Sequence, residues 1–201
     1  MEGTETGLRE LLRRRRSIRS FDAARPVPGT AVRKIVEAGL AVPSPSGSLP
    51  VMIYQLESSA AREKLEREVT LAKDALLRTA DAKKKNKINY YWRYTGYLFS
   101  APLILAVTHR PRPGLLESRG EDAARLTAGL SLFSMSLMAE DLGFSSTILT
   151  APQAFCPDIG LKLGIGEHET LCSFMAVGKK KEGEAVVERE RREPRAHFLK
   201  L

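Results

Sequence analysis

Apolar positions recur along the chain with two periods, and the elements follow from where one period gives way to the other. Leu8, Leu11 and Leu12 stand at helical spacing, which predicts an amphipathic helix over residues 4–16. Val32, Ile35, Val36 and Leu40 repeat the stripe and predict a second helix over 30–41. It ends at Val42-Pro43, because a residue before proline is pushed out of the α region. Residues 51–56 read as a strand. Ser58 and Ser59 then cap a long charged helix that runs to about residue 80. Residues 81–87 are basic and polar and read as a mobile helix end or lid. Residues 103–108 form a continuous apolar run, the pattern of a strand buried on both faces. Ser118-x-x-Glu121 reads as a capping box opening a helix to Asp141, apolar nearly all round in its middle and closed by Gly143. A strand over 144–149, a short helix started by Thr150-Ala151-Pro152 and a last strand over 171–177 complete the pattern.

That order predicts an α+β fold, a mixed and mainly antiparallel sheet flanked by helices, in one domain over residues 1–201. Residues 179–201 carry too little apolar surface to fold alone and read as an extended tail. There is no G-x-G-x-x-G after a first strand and no Walker A sequence, so neither a dinucleotide Rossmann unit nor a P-loop is indicated.

Charge narrows the partners. Thirty-two Lys and Arg against 24 Asp and Glu give a formal +8, which favours anionic ligands without choosing among them. The three histidines are scattered, with no spacing that assembles a metal site. Cys156 and Cys172 lie in apolar surroundings and read as free buried thiols, with a disulfide or a nucleophile as the alternative. The N-terminus has no apolar signal region and no apolar run is long enough to span a membrane, so a cytoplasmic protein is the expectation.

The candidate chemistry begins in Arg13-Arg14-Arg15-Arg16-Ser17-Ile18-Arg19-Ser20-Phe21. Arg13 and Arg14 suit the negative end of a helix dipole and solubility. Ser17, Arg19 and Phe21 need another reason, and a guanidinium fork beside a hydroxyl suits a phosphate. Residues 43–50 hold three prolines, three serines and a glycine, a loop of turns that lets backbone approach a flat ligand. Tyr90, Tyr91, Trp92, Tyr94 and Tyr97 are either packing or a wall for a planar ligand. A nucleic-acid surface made from the basic runs and these aromatics is a further reading, disfavoured because the runs are separated and the tail is interleaved with acids.

Taken in order, Arg15-Arg16-Ser17-Ile18-Arg19-Ser20-Phe21, Pro26-Val27-Pro28, Ala41-Val42-Pro43-Ser44, Ala101-Pro102, Asp141-Leu142-Gly143-Phe144, Leu163-Gly164-Ile165 and Ala176-Val177-Gly178-Lys179 resemble the nitroreductase-like family of FMN-dependent oxidoreductases. The resemblance implies a homodimer with FMN at the subunit interface and a C-terminal tail lying over the partner. It implies that Arg15, Arg16, Ser17 and Arg19 bind the flavin phosphate and ribityl end. Pro43, Ser44 and Ser46 would lie along the ring, Thr147, Ile148 and Leu149 would approach it from a strand, and Arg191 or Arg192 would complete the phosphate site. Backbone amides of 44–47, or a lysine or asparagine of 83–89, would stabilise the reduced ring; no side-chain acid or base is assigned. Tyr91, Trp92 and Tyr94 are candidates for the substrate wall. Where the family has Gly-Asn-x-Gln-Pro-Trp, this chain has Ser46-Gly47-Ser48-Leu49-Pro50-Val51, a form similar to the azoline-dehydrogenase branch.

The activity so implied is NAD(P)H-driven reduction of a small electron-poor substrate, such as a nitroaromatic or a quinone, by ping-pong hydride transfer. The alternatives are a flavin- or nucleotide-binding protein without turnover, and a flavin-dependent dehydrogenase of a peptide or heterocycle.

Overall fold

The apolar run after Ala101-Pro102 becomes the middle of the sheet. In the computed structural model, which describes residues 7–44, 47–110 and 117–183, strand β2 (Leu103–His109) is buried along its whole length. It pairs on one side with β1 (Val51–Gln55) and on the other with β4 (Thr170–Gly178), and β3 (Ser145–Leu149) flanks β4. The order is β1-β2-β4-β3, with every neighbouring pair antiparallel. One parallel bridge, Ser17 to Ser146, adds the N-terminal segment beyond β3, so the sheet is mixed and mainly antiparallel as expected.

Alternation along these strands divides the core into two layers. Ile104, Ala106, Phe174, Ala176 and Leu149 pack on one face, against α3 (Ser59–Thr79), α4 (Ala82–Phe99), α6 (Ala151–Phe155) and α7 (Ile159–Lys162). Leu103, Leu105, Val107, Met175 and Val177 meet α2 (Gly29–Leu40) and α5 (Glu117–Asp141) on the other. Helices α2 and α5 approach closely because Gly39 has no side chain: a Cβ there would stand 2.7 Å from Met135 Cγ. Ser134 Oγ fastens the crossing by donating to Ala38 O at 2.7 Å.

Four expectations need correction. Helix α1, described from Gly7, ends at Arg14 and not at Arg16, and residues 4–6 lie outside the described residues. Residues 81–87 are the first half of α4 rather than a lid, because Asp81 caps the helix, accepting from Lys84 N at 2.8 Å. Helix α5 already includes Glu117, so Ser118 is not its cap; the Glu121 carboxylate turns instead to His109 and Arg125. The same helix is not buried all round. Leu126, Leu130 and Phe133 form an exposed apolar stripe, with Leu126 67% exposed. Its end is as expected: Gly143 takes a φ of +72°, and Phe144 N donates to Ala139 O at 2.8 Å.

Candidate functional site

After α1 the chain runs extended, and two apolar side chains anchor it. Ile18 and Phe21 are both buried in the layer that holds α4. Ile18 N donates to Ser146 O at 3.1 Å, Asp22 N to Lys179 O at 2.9 Å, and Lys181 N to Ser20 O at 3.1 Å. The segment is thus stitched to β3 at one end and to the exit of β4 at the other. Three of the sequence signatures meet here. A Cβ on Gly178 would lie 2.7 Å from Pro102 Cδ and 3.1 Å from Phe21 Cδ1, so only glycine fits between that proline and that phenylalanine.

Fixing Ile18 and Phe21 inward decides where the polar residues go. Ser17 is exposed, and Arg16 and Arg19 are half-buried. Arg16 Nη1 donates to the carbonyls of Arg13 and of Arg15, the latter at 3.1 Å. Arg19 stacks its guanidinium over the Tyr94 ring, Cζ to centroid 5.0 Å, and the Tyr94 hydroxyl donates to the Tyr90 hydroxyl at 3.0 Å. The Nε of both arginines is buried and has no hydrogen-bond partner among the described residues. Buried N–H groups of a charged side chain are ordinarily satisfied, so two orphans on arginines three residues apart are donors that an anion would satisfy. Arg14 differs: it pairs with Glu140 at 2.9 Å and with Glu10 at 3.6 Å, a structural role.

The Ser17–Ser146 bridge sets β3 beside this segment. Of the three residues expected from that strand, Thr147 and Leu149 are buried and only Ile148, 41% exposed, presents a side chain at the surface. Loop 43–50 stands at the far end of α2, whose 12 residues span about 18 Å. Pro43 is exposed, and Ser44 folds the loop on itself, its Oγ accepting from Leu49 N at 3.0 Å and its carbonyl from Gly47 N at 3.2 Å. Gly47, with φ at +67°, supplies a backbone turn that side chains resist. Ser46 lies outside the described residues, as do Arg191 and Arg192.

Comparison with known proteins decides the family. The model of the nitroreductase family matches residues 12–179, most of the chain. The protein belongs to the nitroreductase family. Solved structures share its fold. A BluB-like flavoprotein from Clostridium difficile is 15% identical, with 98% of this chain and 99% of that one covered at a TM-score of 0.82. A nitroreductase with bound FMN from Bacteroides fragilis is 20% identical, with 93% and 95% covered and a TM-score of 0.71. An FMN- and NADPH-dependent nitroreductase, NfnB, from a Sphigopyxis strain is 20% identical, with 88% and 90% covered and a TM-score of 0.67. No curated protein matches by sequence.

Within this nitroreductase-family chain the aromatic residues of α4 divide by face. Tyr91 is exposed beside Tyr90, ring centroids 5.5 Å apart. Tyr94 belongs to the Arg19 contact. Trp92 stands edge-on to Phe155 at 5.6 Å, near Phe99, with Lys73 Nζ 4.4 Å over its ring. That surface is taken up in joining α3, α4 and α6, so Trp92 is placed as packing and not on an open wall. A pocket of about 120 Å³, lined among others by Tyr54, Leu56, Leu163 and Ile165, lies beside β1, at the opposite edge of the sheet from β3. It is well under the roughly 300 Å³ of the smaller ligand sites.

Two polar clusters carry no motif and went unread in the sequence. Glu169, whose side chain is 2% exposed, accepts from Thr108 at 2.6 Å, Tyr54 at 2.9 Å and Arg110 at 2.8 Å. Burial opposes its ionisation, but these hydrogen bonds outweigh it and hold the carboxyl below its ordinary range. The second cluster joins His109, Cys172 and Glu121. A histidine ending a strand whose first five residues are apolar was the one available signal. Among the described residues no group of His, Cys, Asp and Glu is arranged to hold a metal, and no helix is long and apolar enough to cross a membrane.

Proposed function

We propose that this nitroreductase-family protein is an FMN-dependent oxidoreductase that takes electrons from NAD(P)H and reduces a small electron-poor substrate, of the nitroaromatic or quinone type. The observation that carries the reading is the pair of buried, unpartnered Nε groups on Arg16 and Arg19, beside an exposed Ser17 hydroxyl. A phosphate monoester supplies the acceptor oxygens that this donor set lacks. FMN, when bound, supplies a two-electron carrier between nicotinamide and substrate. This chain's residues then have separate tasks. Arg15, Arg16, Ser17 and Arg19 hold the phosphate end, with a tail arginine, Arg191 or Arg192, added to them. The backbone of 43–47 borders the ring, Ile148 bounds it from β3, and Tyr91 faces the substrate. The family match over residues 12–179 and the fold shared with FMN-bound structures support the assignment.

The proposal includes a homodimer. Leu126, Leu130 and Phe133 recur at helical spacing on the open face of α5, an apolar stripe of the kind that a second copy covers. Residues 179–181 are held against this chain's own Ser20–Asp22 segment, and in this reading the tail beyond them lies over the partner, each copy enclosing one FMN with its neighbour's help. The protein works in the cytoplasm as a single FMN-binding domain per chain.

The first test is optical. Purified protein carries, or takes up from solution, one FMN per chain with a bound-flavin absorption spectrum; a preparation that stays colourless with added FMN refutes the proposal. Anaerobic bleaching by NADPH or NADH distinguishes an enzyme from a passive flavin carrier. Arg19→Ala weakens FMN binding about ten- to a hundredfold, the range of a charge-assisted hydrogen bond, without unfolding the chain. Unchanged affinity in that variant overturns the phosphate assignment.

A further inference from the structure

A polar cluster on the α5 side of the sheet joins three residues from three elements. His109 ends β2 and is 1% exposed. Its Nδ1 is 2.8 Å from Cys172 Sγ on β4, and its Nε2 is 2.6 Å from Glu121 Oε1 on α5. Arg125, one turn further along α5, also binds that carboxylate oxygen, at 3.0 Å. Thiol and carboxylate occupy opposite ring nitrogens, so they cannot be ligands of one metal. They form a line, sulfur to imidazole to carboxylate, along which a proton can move.

The carboxylate fixes the direction. His109 and Arg125 together hold Glu121 ionised, below the ordinary carboxyl range, with the hydrogen bond from His109 the larger cause. Nε2 therefore carries the hydrogen and gives it to Glu121. Nδ1 is left to accept from the Cys172 S–H, or to donate back to the thiolate once it has taken that proton. A nucleophile, an adjacent base and a group orienting the base are the parts of an activated thiol. The charged groups around it among the described residues are Glu121, Arg125 and Asp122 of α5 and His109 of β2. Cys156 offers an internal contrast: it is buried, and its neighbours are Asp158 at 3.1 Å and Lys162 at 3.6 Å, with no imidazole.

We propose that Cys172 is a base-assisted nucleophile, distinct from the flavin site, that reacts with small peroxides. Its sulfur is half-buried, which favours a reactant no larger than hydrogen peroxide or a short hydroperoxide. Sulfur attacks one peroxide oxygen while its proton passes to His109 Nδ1. The O–O bond breaks, and the leaving oxygen takes the proton from the imidazolium and departs as water, or as an alcohol when the reactant is a hydroperoxide. Sulfur loses two electrons and becomes a sulfenic acid, and the peroxide is reduced by the same two.

Burial works against a free thiolate here, pushing the Cys172 thiol up to about 11, with Arg125 opposing that and Glu121 adding to it. A thiol that had to ionise into water would therefore react ever faster up to and beyond pH 10. Transfer to an imidazole already 2.8 Å from the sulfur gives another profile, because the thiol passes its proton within the pair and need not ionise into water.

The test treats the full-length chain with hydrogen peroxide, traps sulfenic acid with dimedone and maps both cysteines by mass spectrometry between pH 6 and 10. Cys172 is expected to be labelled at least tenfold faster than Cys156 at pH 7, with a rate that changes less than about twofold from pH 7 to 9. An ordinary thiol gains more than tenfold over that interval. Glu121→Gln keeps the hydrogen-bond acceptor but loses the charge; it is expected to slow labelling at pH 7 about tenfold and to restore the climb, with an unchanged far-ultraviolet circular dichroism spectrum. A Cys172 rate that rises without a plateau, or matches that of Cys156, overturns the proposal. So does a folded Glu121→Gln protein with the parent profile.

Discussion

Replacing Gly178 by alanine tests the junction on which the candidate site is built. The added Cβ would stand 2.7 Å from Pro102 Cδ, 3.1 Å from Pro102 Cγ and 3.1 Å from Phe21 Cδ1. A proline ring has no rotamer to escape into, so relief must come from moving β4 against the 101–102 turn, or from tilting Phe21. Overpacking of this kind costs about 1–3 kcal/mol. In a chain of this length each kcal/mol lowers Tm by about 2–4 °C. A matched control makes the number meaningful. Gly96 sits in an exposed position of α4 with nothing within 4 Å of a built Cβ, so the same substitution gains helix propensity, about 0.8–1 kcal/mol. Equilibrium urea unfolding followed by the fluorescence of Trp92, the sole tryptophan, reads both variants, since its ring packs on Phe155. Gly178→Ala is expected to lose stability and Gly96→Ala to gain it. Because Phe21 shares the contact, Gly178→Ala also displaces Ser17 and Arg19 and weakens FMN binding, whereas Gly96→Ala does not. A Gly178→Ala protein within about 0.5 kcal/mol of the parent, binding flavin normally, would refute the packing argument.

Three more predictions address other parts of the molecule. Glu169→Gln turns an amide N–H₂ toward groups that donate, which costs about 1–3 kcal/mol in urea unfolding at pH 7. In the parent, the lowered pKa of Glu169 means its contribution is complete above the ordinary glutamate pKa and fades as pH falls through the folded value. The variant's stability should therefore fall less steeply below about pH 4.5 than the parent's, and parallel acid limbs would count against that assignment. Tyr94→Leu removes the ring beneath Arg19 and should raise the FMN dissociation constant about two- to thirtyfold, while Tyr94→Phe keeps the ring and most of the affinity; equal loss in both would mean that stacking does not orient Arg19. Leu130→Glu places a charge in the exposed stripe of α5 and should shift sedimentation velocity from dimer to monomer, and an unaltered dimer would assign the interface elsewhere.

Much of the fold is legible in the sequence because local physics decides it. The run 103–108 is apolar at every position but its last, which only a doubly covered strand explains, and β2 is that strand. Ser58 caps α3 and Gly143 ends α5 by side-chain and backbone rules that need no tertiary contact. The misses share a cause. Asp81 is as good a cap as Ser58, yet a following run of lysines obscures it, and the pattern gives no sign of α4 as a continuous helix over Ala82–Phe99. Trp92 and Tyr94 lie two residues apart on one helix, and nothing local says that one meets Phe155 and the other Arg19. The stripe on α5 reads as core because the sequence pattern does not distinguish apolar residues left exposed from apolar residues facing a sheet. The arginine–serine signature was recognisable, but its anchoring by Ile18 and Phe21 depends on strands that come more than a hundred residues later.

That last dependence bears on how the protein comes to be folded. Ser17 pairs with Ser146, and Phe21 with Lys180, so the arginine segment has no place to dock until β3 and β4 exist. Residues 17–21 precede these partners by more than a hundred positions and stay undocked until that intervening chain has been made. The closing of so long a loop is slow and comes late in folding. The arginine segment therefore docks only after β3 and β4 are in place, and an anion bound to it would stabilise the docked form over partly folded ones.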